Sequence, residues 1–340
     1  MTLTRRHMLL TGTAALVGGC ASQEIESPKE KQVSGWSAST PLPMALQEIY
    51  PAAHKGRIHQ AGGFMARGGR ISGPTERHFS WQPGEAAWRE ETPLPIARHH
   101  PQLISFKGKL LALAGFESLS AQAAWTMQKS GWAKGKDGWK AAPELPVPCG
   151  EAVLGVTGDG ALHLAGGRTP KTAQNAGWRD HIDTDHHFIL ESLGGRWERA
   201  APCLTKRNSA AGDVINGALH IVGGRQVDGG NVDTHEVYDI QEDRWCKAAP
   251  LPQAQGGLAA AALGGKLYAF GGEFFNDGGG VYPEGWVYNP ASDSWAALPD
   301  MPTPRHGLGA VRLKDSIYVI GGAKNASGVN TSPIVESFTF

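Results

Sequence analysis

A short apolar segment closed by a pair of small residues recurs six times along this 340-residue chain: RIHQAGG (57–63), KLLALAG (109–115), ALHLAGG (161–167), ALHIVGG (218–224), KLYAFGG (266–272) and SIYVIGG (316–322). Counted from the first residue of each pair, the spacings are 52, 52, 57, 48 and 50 residues. A second comb runs beside it, Trp36, Trp88, Trp139, Trp197, Trp245 and Trp295, at 52, 51, 58, 48 and 50. A fixed period of this size marks repeat architectures, in which each unit is too small to bury its own apolar face and relies on its neighbours. Between turn clusters, apolar and small residues alternate as in strands, and no stretch carries a good helical period. The 46 Gly and 22 Pro supply the turns, as in Pro41-Leu42-Pro43, Pro93-Leu94-Pro95 and Pro250-Leu251-Pro252 after their tryptophans.

The pattern resembles the kelch repeat, about 50 residues long, in which each repeat builds one four-stranded propeller blade. The resemblance covers roughly residues 33–340, and Val287-Tyr288-Asn289-Pro290 running into Ser294-Trp295 carries it most clearly. It implies an all-β, six-bladed kelch β-propeller. After the sixth small-residue pair, PIVESFTF (333–340) supplies a third strand and no Trp strand follows; a Trp strand lacking a blade stands at the other end, around Ser34–Ser37. The N-terminal strand is therefore expected to complete the last blade, leaving no open sheet edge at the seam.

Ahead of the ring, Arg5 and Arg6 precede a short, weakly apolar stretch that ends at Cys20. This looks like a twin-arginine export signal over residues 1–20. Val17-Gly18-Gly19-Cys20 resembles a lipobox, with Cys20 as the lipidated residue and 21–32 as a polar tether. The expectation is an exported, periplasm-facing lipoprotein, with Ala21 and Ser22 pointing to the outer membrane. Composition narrows the rest. Lys and Arg total 32 against 32 Asp and Glu, and only 19% of residues are charged, which excludes nucleic acid as a partner. No apolar run reaches 18 residues, so a polytopic membrane protein is excluded. Four cysteines without a CxxC exclude a disulfide scaffold and the common zinc modules. No cofactor is implied, and a monomer is expected.

Site candidates follow from the repeat register. Sixteen residues before the small-residue pairs stand Leu46, Arg98, Gly150, Arg207, Gln255 and Arg305; the next positions are Gln47, His99, Glu151, Asn208, Gly256 and His306. In kelch propellers this connection opens on the same face as the loop after the glycine pair, around a central channel. Arg98, Arg207 and Arg305 would then recur on alternate blades, suited to a carboxylate through paired N–H donors. Structural pairing of these arginines is the alternative. Arg168, Arg225 and Glu273 directly follow their glycine pairs. Two long loops, 168–185 and 273–284, carry Trp178, Phe274, Phe275 and Tyr282 beside Asn and Asp side chains, a combination that suits a sugar.

Other groups read as scaffold. His59, His163 and His220 share a position with Leu111, Tyr268 and Tyr318, which marks packing. Asp180, His181, Asp183, Asp185, His186 and His187 are too closely strung along an extended segment for all to converge, and no metal site is assigned. Cys149 lies near the expected mouth and is a lesser nucleophile candidate; Cys203 and Cys246 have no assigned role.

Fold alone supplies no activity. The first functional reading is a propeller binding a carbohydrate or sugar acid at the channel mouth. The second is an isomerase similar to the periplasmic six-bladed kelch sialic-acid epimerases, with the arginines as carboxylate clamp and Glu151, Glu273, His99 and His306 as candidate acid and base groups. The third is a protein–protein interaction scaffold. A copper radical site of the galactose-oxidase kind is disfavoured, since only Tyr50 and Tyr282 fall outside scaffold positions.

Overall fold

The computed structural model describes residues 35–339. Six antiparallel four-stranded sheets follow one another, each the blade of a propeller. Blade 4 is typical: Ala211–Ile215 innermost, then Ala218–Val222, His235–Asp239 and Arg244–Lys247. In every blade the second strand ends in buried residues, mostly apolar, with His59, Gln60, His163 and His220 buried among them. The innermost strands instead carry small residues such as Ala53, Ala260 and Ala310, and they line a central channel with a cavity of about 320 Å³.

The seam forms as expected. Gly35–Ser39 pairs with Val335–Thr339 as the outer strand of blade 6, with Trp36 opposite Phe338. A second clasp had no sequence signature. The hairpin Phe64–Arg67/Arg70–Pro74 of blade 1 reaches the last loop of blade 6, where Arg70 bridges Val329 and Asn330 N donates to Gly69 O at 2.8 Å.

Both sequence combs are inter-blade fasteners. Each comb Trp donates its indole N–H to a backbone carbonyl in the turn of the preceding blade: Trp88 to Thr40, Trp139 to Thr92, Trp197 to Pro143, Trp245 to Ala201, Trp295 to Ala249, and Trp36 to Pro299. These bonds measure 2.8–3.1 Å and close the circle across the seam. The second residue of each small pair donates its N–H to a carbonyl in the next blade, that of Arg98, Cys149, Arg207, Gln255, Arg305 and Leu46 in turn. Glycine is needed here because the blades touch backbone to backbone. A Cβ on Gly271 would lie 2.3 Å from Arg305 O, at a φ of +66°.

The histidines read as packing residues have partners that sequence did not reveal. His59, His163 and His220 each meet a second buried imidazole, His78, His187 and His235, at 2.8–3.0 Å. The outer ring of each pair bonds a turn carbonyl through Nδ1, so its Nε2 accepts from the inner ring. Burial pushes all six imidazoles below their usual range, His59 and His220 to about 3 and His78, His187 and His235 to about 4.

Candidate ligand site at the channel mouth

One turn per blade leads into the innermost strand, and in each the residue just before that strand's approach adopts the left-handed conformation. Around the ring these are Glu48, His100, Glu151, Ser209, Gly257 and Gly307, with φ of 54°, 54°, 55°, 48°, 70° and 56°. Four of the six links form a head-to-tail backbone chain: His100 N to Glu48 O, Glu48 N to Gly307 O, Gly307 N to Gly257 O, and Gly257 N to Ser209 O. Glycine is the low-cost residue for such a φ, whereas each side chain held there costs on the order of 1 kcal/mol or more. Four positions nevertheless carry polar or charged side chains. The two glycines serve those neighbours: a Cβ on Gly307 would lie 2.7 Å from Glu48 Oε1, and one on Gly257 would lie 2.7 Å from Arg225 Nη2.

These side chains form a continuous polar belt. Ser209 Oγ donates to Glu151 Oε2 at 3.1 Å. Glu151 Oε1 lies 3.7 Å from His100 Nε2, which is 3.0 Å from Glu48 Oε2. Glu48 Oε1 lies 3.9 Å from His306 Nε2, which is 3.3 Å from Glu273 Oε2, and Glu273 Oε1 accepts from Arg225 at 2.9 Å. Burial alone would raise the Glu48 carboxyl, but the adjoining His100, then His306 and Arg225, outweigh it and hold Glu48 down to about 2. His306 is depressed by burial despite the pull of Glu273 and Glu48. Desolvation alone would lower the partly buried Arg225, and Glu273, Glu151 and Glu48 more than offset that, keeping it charged.

The partners of His100 fix its protons. His99 Nε2 lies 3.0 Å from the carbonyl of Ala124 and must donate. Burial, reinforced by His100, holds His99 well below the usual imidazole range, so its Nδ1 is bare and accepts from His100 Nδ1 at 2.7 Å. On its other side His100 faces only carboxylate oxygens, which cannot donate when ionised. His100 Nδ1 therefore donates to His99, while its Nε2 faces the carboxyl groups of Glu48 and Glu151. Three carboxyl groups thus meet the Arg225 guanidinium and the imidazoles of His100 and His306 in the belt, with the guanidinium of Arg168 just behind Glu151.

Over this belt lies a cavity of about 750 Å³. Its walls come from the loops after the glycine pairs: Phe64 and Ile71 of blade 1, Trp125 of blade 2, Trp178 of blade 3, Asn231 of blade 4, and Phe274, Phe275 and Tyr282 of blade 5. Asn231 Nδ2 donates to Glu273 O at 2.7 Å and reaches Tyr282 Oη at 3.4 Å, which ties the wall to the belt.

The structure separates the sequence candidates. Glu151, Glu273, His306, Asn208 and Arg225 all line the cavity. Arg98, Arg207 and Arg305 do not, which corrects the expected clamp. They are fully buried and paired with Glu117, Glu236 and Glu336 at 2.6–2.8 Å, and they also bond carbonyls of their own blade. The alternative of structural pairing describes them. Arg168 is corrected likewise: it is wholly buried, bonds Trp178 O, and lies 4.0 Å beneath the Trp178 ring. His99 is stacked between Phe64 and Phe116, with centroids at 3.9 and 5.0 Å, and the mouth position belongs to His100.

One register slip underlies part of this. The innermost hairpin of blade 3 turns through Gly158-Asp159-Gly160, with Thr157 paired to Ala161, where blade 2 needs only Lys107-Gly108. Counting back from the glycine pair therefore lands one residue late. The blade 3 counterpart of Arg98 is Cys149, whose carbonyl accepts from Gly115 and whose Sγ lies 3.9 Å from Gly166 O, and the counterpart of His100 is Glu151. Cys149 is thus a packing residue, its thiol pushed up to about 12 by burial, and not a nucleophile. In the long loop of blade 3, His181 bonds Asn175 and Asp183 accepts from Asn208, while His187 belongs to a scaffold pair. Cys20 and the expected tether lie outside the described residues.

Sequence reasoning missed Glu48, His100, Ser209, Trp125 and Asn231. Glu48 and His100 sit one residue past the positions singled out, and Ser209 follows Asn208. The signal was there in part: Gly257 and Gly307 stand at the same register and mark a left-handed position.

Comparison with known proteins agrees with this architecture. The kelch motif matches residues 256–302. The mouse (Mus musculus) Kelch-like protein 35 is 31% identical over 136 residues, which is 39% of this chain and 21% of that protein, so the chain spans only a small part of that relative. A solved structure, described as "Structure of YjhT", superposes with a TM-score of 0.71 at 15% identity, covering 88% of this chain and 96% of the other. The likeness to YjhT is one of fold. With six four-stranded blades among the described residues, the chain is an all-β propeller, and its fifth blade matches the kelch motif.

Proposed function

We propose that the channel mouth binds a carbohydrate, and that its ligand is a neutral sugar in preference to a sugar acid. The observation that carries this is the set of four side chains, Glu48, His100, Glu151 and Ser209, held in a left-handed conformation where glycine would be easier. Backbone strain of this kind persists where function requires it. The belt offers carboxylate acceptors alternating with Arg225, His100 and Ser209 donors, which matches the mixed hydroxyls of a sugar. Aromatic walls at Trp125 and Tyr282 suit its C–H faces. With the three ring arginines paired elsewhere, a ligand carboxylate would face the three carboxyl groups of Glu48, Glu151 and Glu273.

The test is calorimetric titration with neutral monosaccharides and their uronic and sialic counterparts. Neutral sugars should bind and the acids bind less well; preference for an acid would reject the neutral-sugar reading. Isomerase action is the second reading, favoured by the carboxyl–imidazole chain Glu48–His100–Glu151, which could move a proton during ring opening. Anomer-exchange NMR on a bound sugar separates the two: faster exchange that is lost in Glu151→Gln selects the isomerase. We further propose that the chain is exported and lipid-anchored at Cys20. Lipid labelling that survives Cys20→Ala would reject the anchor.

A further inference from the structure

Six of the eight large apolar side chains exposed among the described residues, Ile71, Leu119, Trp178, Ile182, Phe275 and Val329, lie on loops after the small-residue pairs, the face on which the mouth opens. Two of them are aromatic and share an arrangement. Trp178 of blade 3, 38% exposed, has the Arg168 guanidinium 4.0 Å from its ring centroid; Phe275 of blade 5, 58% exposed, has that of Arg225 at 5.5 Å. Each ring thus rests one face on a cation that is itself anchored, Arg168 on Trp178 O and Arg225 on Glu273. A guanidinium beneath an aromatic ring fixes its orientation and leaves the opposite face open. Both rings border the same cavity as the belt, and blade 4 separates them.

We propose that Trp178 and Phe275 are two outer sugar platforms, and that the ligand is a neutral oligosaccharide of at least three units whose middle unit lies over the belt. This rests on the carbohydrate reading above and extends it from a single sugar to a chain. A pyranose presents a flat C–H face that packs on an aromatic ring, while its edge hydroxyls reach polar groups. Rings on blades 3 and 5, with Ser209 and Arg225 of blade 4 in the same cavity, match successive units of one chain. The cavity of about 750 Å³ is in the upper part of the range for small-ligand sites, roughly 300–1,000 Å³.

The experiment is calorimetric titration of the full chain with malto-, cello-, xylo- and chito-oligosaccharides of one to six units. In the series that binds, affinity should rise at least tenfold from one unit to three and then level off. Phe275→Ala and Trp178→Ala should each weaken trisaccharide binding about tenfold, and weaken binding of the single sugar much less. Equal affinity for one and three units would overturn the platforms and leave the carbohydrate reading standing. Equal losses for short and long ligands in Phe275→Ala would do the same, and that exposed ring can be removed even if Trp178→Ala fails to fold. Binding of a lysine-rich peptide with no response to any sugar would overturn both.

Discussion

His100 stands with Nε2 3.0 Å from Glu48 Oε2 and 3.7 Å from Glu151 Oε1, so a single imidazole sits between two carboxyl groups of the channel mouth. Glu48→Gln keeps the shape but removes one charge-assisted contact, worth about 1.5–3 kcal/mol. Sugar affinity should fall roughly 10- to 150-fold in calorimetry. An unchanged affinity would place the ligand elsewhere.

The left-handed ring sets stability against function. Ser209→Gly relieves a φ of 48° at the loss of one hydrogen bond to Glu151. Its unfolding free energy should stay within about 1 kcal/mol of the parent, since the two effects are of similar size. Glu151→Gly should be as stable as the parent or more so, yet bind ligand poorly. Gly257→Ala should do worse on both counts, since its Cβ would strike Arg225 Nη2. Denaturant melts paired with ligand titrations read both quantities.

The buried arginines belong to the fold. Arg207 pairs with Glu236 at 2.8 Å, with both side chains at most 2% exposed. Arg207→Met strands a carboxylate in the interior and should cost about 3–5 kcal/mol, measured by urea unfolding. Adding Glu236→Leu should recover much of that loss. Neither variant should alter which sugars bind.

Acid should loosen the ring through its imidazole pairs. The six paired histidines are held below the unfolded value near 6.5, five of them at about 3 to 4. Below pH 6.5 the unfolded chain takes up protons that the folded chain refuses. Stability is therefore full above that pH and falls as pH drops toward 4 and 3, by at most about 1.4 kcal/mol per group per pH unit. His163→Leu with His187→Phe should flatten the dependence of melting temperature on pH between 6.5 and 4. An equally steep profile in that variant would assign the acid sensitivity to other groups.

What sequence made legible was periodic. The small-residue pairs and the Trp comb place two inter-blade hydrogen bonds per blade, and the missing sixth Trp strand announced that Trp36 would close the ring. The site was legible only as a region. A three-residue turn at Gly158-Asp159-Gly160 shifted the count by one in blade 3, so Cys149 was hidden behind Gly150. Elsewhere the side chain aimed at the mouth is set by a left-handed φ, and sequence betrays that φ only where glycine adopts it. Arg98 looked available because its carboxylate partner, Glu117, lies 19 residues on in a loop without periodic register.

The central claim is that the belt of Glu48, His100, Glu151, Glu273 and Arg225 takes a neutral sugar. Saturation-transfer NMR on an equimolar mixture of neutral aldoses and their uronic acids tests it most directly. The account predicts transfer to neutral sugars that disappears in Glu48→Gln with Glu151→Gln, while the folded spectrum is kept. Transfer confined to the uronic acids, or transfer to neutral sugars that persists in the double variant, would contradict it.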